Sequence, residues 1–182
     1  MLPMARTPKF REASATAEIF PPPDHDHLRC SSDAMAVAEA LCVERGQRLT
    51  SIRRDVLAAL LASHRPLGAY DIMERLVREG VSLGASLGTK PAPITVYRAL
   101  EFLRTNGLVH RIESRNAFVA CVHSHAAGDI IVFLICESCG AVGEASSAEV
   151  AATIKLAARK AGFTPKSPVI EISGICTHCG KA

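Results

Sequence analysis

From residue 32 to about residue 106 apolar positions recur at helical spacing, and the period then falls to two. Residues 32–46 place Met35, Ala38, Leu41 and Cys42 three and four apart. That is the stripe of an amphipathic helix, which Ser32 or Asp33 can cap and Gly46 can end. A second helix is predicted from Thr50, a capping residue, through about Ser63, with Ile52, Val56, Leu57, Leu60 and Leu61 inward. Pro66-Leu67-Gly68 is a turn signal. Residues Ala69 to Glu79 follow as a third amphipathic helix, stopped by Gly80. After a loop with glycines at 80, 84 and 88, Pro93 opens a fourth helix that runs to Asn106. Val96, Leu100 and Leu103 face inward there, whereas Thr95, Tyr97, Arg98 and Arg104 stay polar or accessible.

Past Gly107, the segments LVHRIES and FVACVHS read as two strands flanking Arg115-Asn116. Helices followed by a two-stranded wing make the winged helix-turn-helix plan, whose last helix enters a major groove. Further strands are predicted at Ile130–Ile135, Ala141–Glu144 and Val169–Ser173. A helix at about Ser147–Ala161 lies among them, with Val150, Ile154 and Ala158 on one face. A small sheet with open edges invites completion by a second subunit. The expected fold is therefore α/β (α+β) in three parts. Residues 1–31 form a disordered tail, 32–118 a winged-helix DNA-binding domain, and 119–182 a small α/β dimerisation domain that also carries the cysteine motifs taken up below. In the tail, Pro21-Pro22-Pro23 precedes Asp24-His25-Asp26-His27, with Cys30 nearby. These read as a solvated segment that samples metal weakly, or as an auxiliary metal site. His64 reads as structural.

Composition sharpens this picture. Of 182 residues, 48% are hydrophobic, enough for real cores, yet no apolar run approaches the roughly 18 residues of a membrane span. The first twenty residues lack the long apolar stretch of a secretory signal. Seven cysteines, four of them in metal spacing, fit a reducing compartment, so a cytoplasmic protein is expected. Residues 45–115 hold twelve basic and six acidic side chains, while the segment before is net −3 and the segment after is neutral. The excess positive charge thus coincides with the predicted head, which points to a polyanion partner.

The strongest chemical signal is a pair of matched motifs, Cys136-Glu-Ser-Cys139-Gly140 and Cys176-Thr-His-Cys179-Gly180. Each CxxC turn aims two thiolates at one point, and the glycine lets the backbone amides approach the sulfurs. Two such turns supply a closed tetrahedral set suited to structural zinc. Disulfides or a redox dithiol are the competing reading. Upstream, Cys121, His123 and His125 alternate and would share one face of an extended segment. His110 ends the run Gly107-Leu108-Val109, and Glu144 lies five residues past Cys139. Together they offer nitrogen, sulfur and oxygen ligands, a mixed set suited to metal that comes and goes.

These motifs resemble the ferric uptake regulator superfamily over about residues 33–181. The resemblance is carried by Arg48-Leu49-Thr50 with Arg53, by Ala69-Tyr70-Asp71, by Thr95-Val96-Tyr97-Arg98-Ala99-Leu100 with Gly107-Leu108-Val109, and by the CxxCG pair. Ala69-Tyr70-Asp71, His110 before Glu113-Ser114, Asn116-Ala117-Phe118 and Cys121 are most similar to the zinc uptake regulator branch. The iron-sensing branch has a His-rich run before its first knuckle, where this chain has apolar Ile130–Ile135.

The resemblance implies a homodimeric repressor with zinc as corepressor, binding double-stranded AT-rich inverted repeats near zinc-uptake genes. It implies two zinc ions per subunit. The structural one is held by Cys136, Cys139, Cys176 and Cys179. The regulatory one is held by His110, Cys121, Glu144 and a loop histidine, His125 with His123 second. Gapless counting places Asp129 where some relatives carry that histidine. Tyr70 and Arg98 match DNA-contacting positions, and Thr95 and Tyr97 share the recognition helix. The thiolate at Cys121 independently favours zinc over iron or manganese. No membrane partner and no small-molecule substrate other than zinc is expected.

A zinc enzyme is the rival class, but the chain contains no HExxH, no deaminase signature and no Gly-rich phosphate loop. A zinc-stabilised interaction module without DNA binding would also carry the cysteine motifs. An iron- or peroxide-responsive regulator of the same superfamily would share the head as well.

Overall fold

The computed structural model describes residues 19–22, 24–80, 92–121, 130–165 and 169–180. Helix α1 spans His27–Glu44, so it begins before the predicted residue 32. The reason is the cap: Asp26, not Ser32 or Asp33, accepts the Arg29 amide at 3.0 Å. The predicted stripe holds, with Ala38 and Cys42 buried and Met35 and Leu41 packed beside them. Helices α2 (Ser51–Leu61), α3 (Ala69–Arg78) and α4 (Pro93–Thr105) follow as the periodicity indicates. Thr50 stands at the start of α2 in extended geometry but makes no side-chain cap bond. At the start of α3, the Asp71 carboxylate takes up the Gly68 amide at 3.0 Å. The inner faces of α2, α3 and α4 enclose Val56, Leu57, Leu60, Ile72, Met73, Leu76, Val96, Leu100 and Leu103.

Strands β1 (Val109–Ile112) and β2 (Ala117–Ala120) form the antiparallel wing. A 3₁₀ turn at Glu113–Arg115 joins them, closed by Asn116 in the left-handed region at φ 47°. All four residues of β2 are buried, which alternation explains only if both wing faces are covered. One face carries Val109, Phe118 and Ala120 into the head core. The opposite face carries Ile112 and Val119 into a second, smaller cluster with Phe133, Ile135 and Val142. The wing is therefore sandwiched between head and body.

The body sheet runs in the order β4 (Val142–Ser146), β3 (Ile131–Cys136), β5 (Val169–Gly174). β3 pairs antiparallel with β4 and parallel with β5, and helix α5 (Ala148–Lys160) makes the crossover. α5 has no buried residue: Val150 is exposed, and Ile154 and Ala158 are half-buried. On the open edge, Val169 and Ile172 are each 51% exposed, and Phe163 and Ile175 nearby are more so. No helix among the described residues is long and apolar enough to cross a membrane.

Candidate metal centres and nucleic-acid face

The register of the body sheet sets the first site. Phe133 lies opposite Glu144 in β4 and opposite Glu171 in β5, so the three side chains share one sheet face. That face meets the wing. His110 stands opposite Val119 on the wing face turned toward the body, and Cys121 continues that face two residues on. The result is a convergence of three elements. His110 Nε2 lies 3.8 Å from Glu144 Oε1, and the Cys121 thiol donates to Glu144 Oε2 at 3.5 Å. The His110 ring packs on Phe133 with centroids 5.3 Å apart. One ligand atom from each of His110, Cys121 and Glu144 lies within 4.8 Å of the others. The candidate loop ligands His123 and His125, and Asp129 with them, fall outside the described residues.

Glu171, on the other side of Phe133, reaches the same wing. Its two carboxylate oxygens accept the Glu113 amide at 2.6 Å and the Ser114 amide at 3.1 Å. Burial raises its pKa, but the Ser114 and Glu113 hydrogen bonds outweigh this and hold the carboxyl below its ordinary value. Sequence reasoning misses this residue. Its one signal is an acid set midway along the otherwise apolar Val169–Ile172.

The four-cysteine set is built where β3 ends. Cys136 is the last residue of β3, and Gly140 turns back at φ 76° with its amide bonded to Cys136 O at 2.9 Å. The second knuckle repeats the bond, Gly180 N to Cys176 O at 2.9 Å, but without a positive φ. One sulfur from each of Cys136, Cys139, Cys176 and Cys179 lies within 4.8 Å of the rest. Cys139 Sγ and Cys176 Sγ are 3.9 Å apart, and all four cysteines are free. A zinc ion at about 2.3 Å from each sulfur requires a tetrahedral edge of about 3.8 Å, so the cluster fits zinc and not a disulfide. The amides of Cys139 and Cys176 lower the Cys136 thiol to about 6. The Ser138 hydroxyl lowers the Cys179 thiol, but the Cys176 sulfur and burial prevail and carry it up to about 11.

A third group gathers His25, His27, Cys30 and His64. The sequence alone marks His64 as structural and His25 and His27 as part of a tail. Here His64 Nε2 is 3.0 Å from His25 Nε2. Burial, followed by His27 and His25, pushes the His64 imidazole down to about 4.

The predicted reading face is open. Tyr70 at the start of α3 is 65% exposed, Tyr97 on α4 is 45% exposed, and Arg98 is exposed beside it. Thr95 is half-buried. Tyr70 and Tyr97 line one groove with Arg104 of α4 and Arg111 and Asn116 of the wing. The exposed Ile94, which no sequence motif singles out, adds apolar surface at the start of α4.

Residues 44–173 match the model of the ferric uptake regulator family. Over 149 residues the chain is 35% identical to the zinc uptake regulation protein of Escherichia coli (strain K12), a match that covers 82% of each chain. Its fold is similar to a zinc uptake regulator solved in complex with zinc and DNA. The TM-score there is 0.71 at 33% identity, covering 83% of this chain and 95% of the other. It is also similar to the crystal structure of holo XcZur, at TM-score 0.70 and 39% identity, covering 84% and 99%.

Proposed function

Because the chain belongs to the ferric uptake regulator family, we propose that it is a zinc-responsive transcriptional repressor. In this reading the zinc-loaded homodimer binds AT-rich inverted-repeat operators of zinc-uptake genes in the cytoplasm, and the protein is a regulator, not an enzyme. The observation that carries it is the meeting of His110, Cys121 and Glu144 at the seam between wing and body, apart from the closed four-cysteine set. A closed all-thiolate set holds metal permanently. A set mixing imidazole, thiolate and carboxylate across two moving parts suits reversible occupancy. The relatives' names, zinc uptake regulation and a zinc–DNA complex, support the same assignment.

The residues divide the work. Cys136, Cys139, Cys176 and Cys179 hold the structural zinc. His110 and Cys121 from the wing side and Glu144 from the body hold the regulatory zinc, with His125, or else His123, as the loop ligand. When bound, zinc supplies a positive charge that draws these ligands to one point. His110 then ties the wing to Glu144 and the sheet behind it, which fixes the angle between head and body. In a homodimer that angle sets the spacing of the two α4 helices, which has to match the helical repeat of DNA. Such coupling requires only that the ligands favour the DNA-competent angle over others. Tyr70, Thr95, Tyr97 and Arg98 form the DNA-contacting set. The exposed Val169, Ile172, Phe163 and Ile175 supply apolar surface for the second subunit. The division into residues 32–118 and 119–182 falls within β2, whose last residues stay with the wing on the head side.

Selection of genomic DNA fragments by the purified protein across buffered free zinc tests this. The expected result is specific fragments captured only above a zinc threshold, and not at matched free iron or manganese. Absence of any enrichment under every metal condition would sink the assignment.

A further inference from the structure

The His25, His27, Cys30 and His64 group lies outside both metal sets used above. Its members come from two places in the chain: His25 precedes α1 and His27 and Cys30 lie in its first turns, whereas His64 follows α2. Three imidazoles and a thiol meet so that one ligand atom from each lies within 4.8 Å of the others. His25 Nε2 sits 3.0 Å from His64 Nε2 and 3.3 Å from His27 Nδ1. Zinc–nitrogen bonds of about 2.0–2.1 Å place tetrahedral nitrogens about 3.3 Å apart, so these separations are those of a coordination shell.

Two details point to a cation instead of a hydrogen-bonded stack. His25 Nδ1 is 2.7 Å from Pro22 O, so that nitrogen carries the proton and Nε2 presents a lone pair to the group. Metal-binding histidines use their second nitrogen in this way, fixing ring and tautomer. His27 Nε2 is buried with no hydrogen-bond partner among the described residues, so the ring's polar contact is the one its Nδ1 makes with His25 Nε2 inside the group. We propose that His25, His27, Cys30 and His64 form a third metal site, of N₃S character, that takes a zinc-class divalent ion. The donor set is borderline-soft and four-membered, unlike the oxygen shells that calcium and magnesium require.

The location gives the site a role. His64 O accepts the Val142 amide of β4 at 2.9 Å, so this histidine already stands on the seam between head and body. Upstream of His25, Phe20 O lies 3.0 Å from His178 Nε2 in the second cysteine knuckle. Ile19 lies against Gly143, next to Glu144. Metal at the third site therefore fastens residues 19–22 and 24–30 as a strap from the knuckle, past Glu144, to the end of α2. Like the seam site, it ties head to body, but from a different set of elements.

The test uses the full chain, with zinc content measured at saturation against a weak chelator. Three zinc ions per subunit are expected for the wild type. Two are expected for the double variant His25→Ala/His27→Ala, two for Cys121→Ser, and one for the three substitutions combined. A wild type that saturates at two while Cys121→Ser falls to one would overturn the third site and leave the regulatory reading intact. Iodoacetamide labelling, read by peptide mass spectrometry, supplies the second measurement. Zinc is expected to protect Cys30 in the wild type and in Cys121→Ser, but not in His64→Ala. Equal Cys30 labelling with and without zinc in the wild type would overturn the proposal.

Discussion

Replacing Glu171 with alanine isolates how strongly the body holds the wing. The carboxylate accepts two amide hydrogen bonds, from Glu113 and Ser114, and these are charge-assisted. A buried bond to a charged group contributes about 1.5–3 kcal/mol, but the wing turn is exposed and water replaces part of each bond. For the pair, about 1–2 kcal/mol remains, a factor of about 5–30 in the ratio of docked to undocked wing. His110 and Cys121 face Glu144 only when the wing is docked. The apparent affinity of the regulatory site for zinc therefore falls by up to that factor, according to how rare the docked state becomes. Competition against a chelator of known zinc affinity measures it, with the four-cysteine zinc as internal control. Glu171→Gln keeps one acceptor oxygen and should fall between wild type and alanine. Hydrogen exchange at the Glu113 and Ser114 amides reads docking directly, and protection in Glu171→Ala equal to wild type refutes the clasp, since the bonds would then add nothing to docking. Because the folded pKa of Glu171 is depressed, its contribution is present above the unfolded carboxyl value and is lost as pH falls through the folded one. Docking should accordingly weaken in acid, and Glu171→Gln should lose that part of the pH dependence.

Three further outcomes are expected. Cys139→Ser should remove the structural zinc, whose binding is on the order of 10–16 kcal/mol in peptides, and unfold the body. Metal analysis with a circular-dichroism melt checks it, and a wild-type melt would show that the set does not hold the fold. Arg98→Ala should cost about 1–3 kcal/mol in operator binding and relax preference at one base pair, with zinc content unchanged. Fluorescence anisotropy against a panel of single-base operator variants reads this, and uniform weakening across the panel would assign Arg98 to phosphate instead. Gly143→Ala places a methyl 2.8 Å from the Ile19 carbonyl oxygen, as well as against the Ile19 side chain, so the strap has to lift. Limited proteolysis should then cut near residues 19–26 faster than in wild type, and an unchanged digestion pattern would mean the strap does not lie there in solution.

Much of the head is legible in the sequence because its signals are local. The stripes of α2, α3 and α4 repeat over ten or more residues, and Pro93 and Gly80 mark an end of a helix. The CxxCG pair is legible because its chemistry is written in spacing. What is not legible depends on contacts far apart in sequence. The start of α1 turns on one cap, where Asp26 prevails over Ser32 and Asp33. The parallel pairing of β3 with β5, which aligns Glu144, Phe133 and Glu171, is a tertiary outcome that no window of either strand contains. His64 shows no periodicity that separates a core histidine from a ligand, and its partners lie 34 to 39 residues upstream. The pairing of His110 with Glu144 comes through family resemblance, and the sheet register supplies its physical reason.

The two-sided burial of β2 has a mechanical consequence. A strand covered on both faces cannot act as a hinge, because bending it would open two seams at once. The seams are unequal. The head-side face of the wing merges into a large core shared with α1, α2, α3 and α4, whereas on the body side the apolar cluster among the described residues is small: Phe133, Ile135 and Val142, with Ile131 beside them. Any parting of the molecule therefore follows the thinner seam, and the wing travels with the head as one rigid piece. Glu144 and Glu171 stand along that line of parting, and metal at the seam acts as a rivet where the structure would otherwise shear.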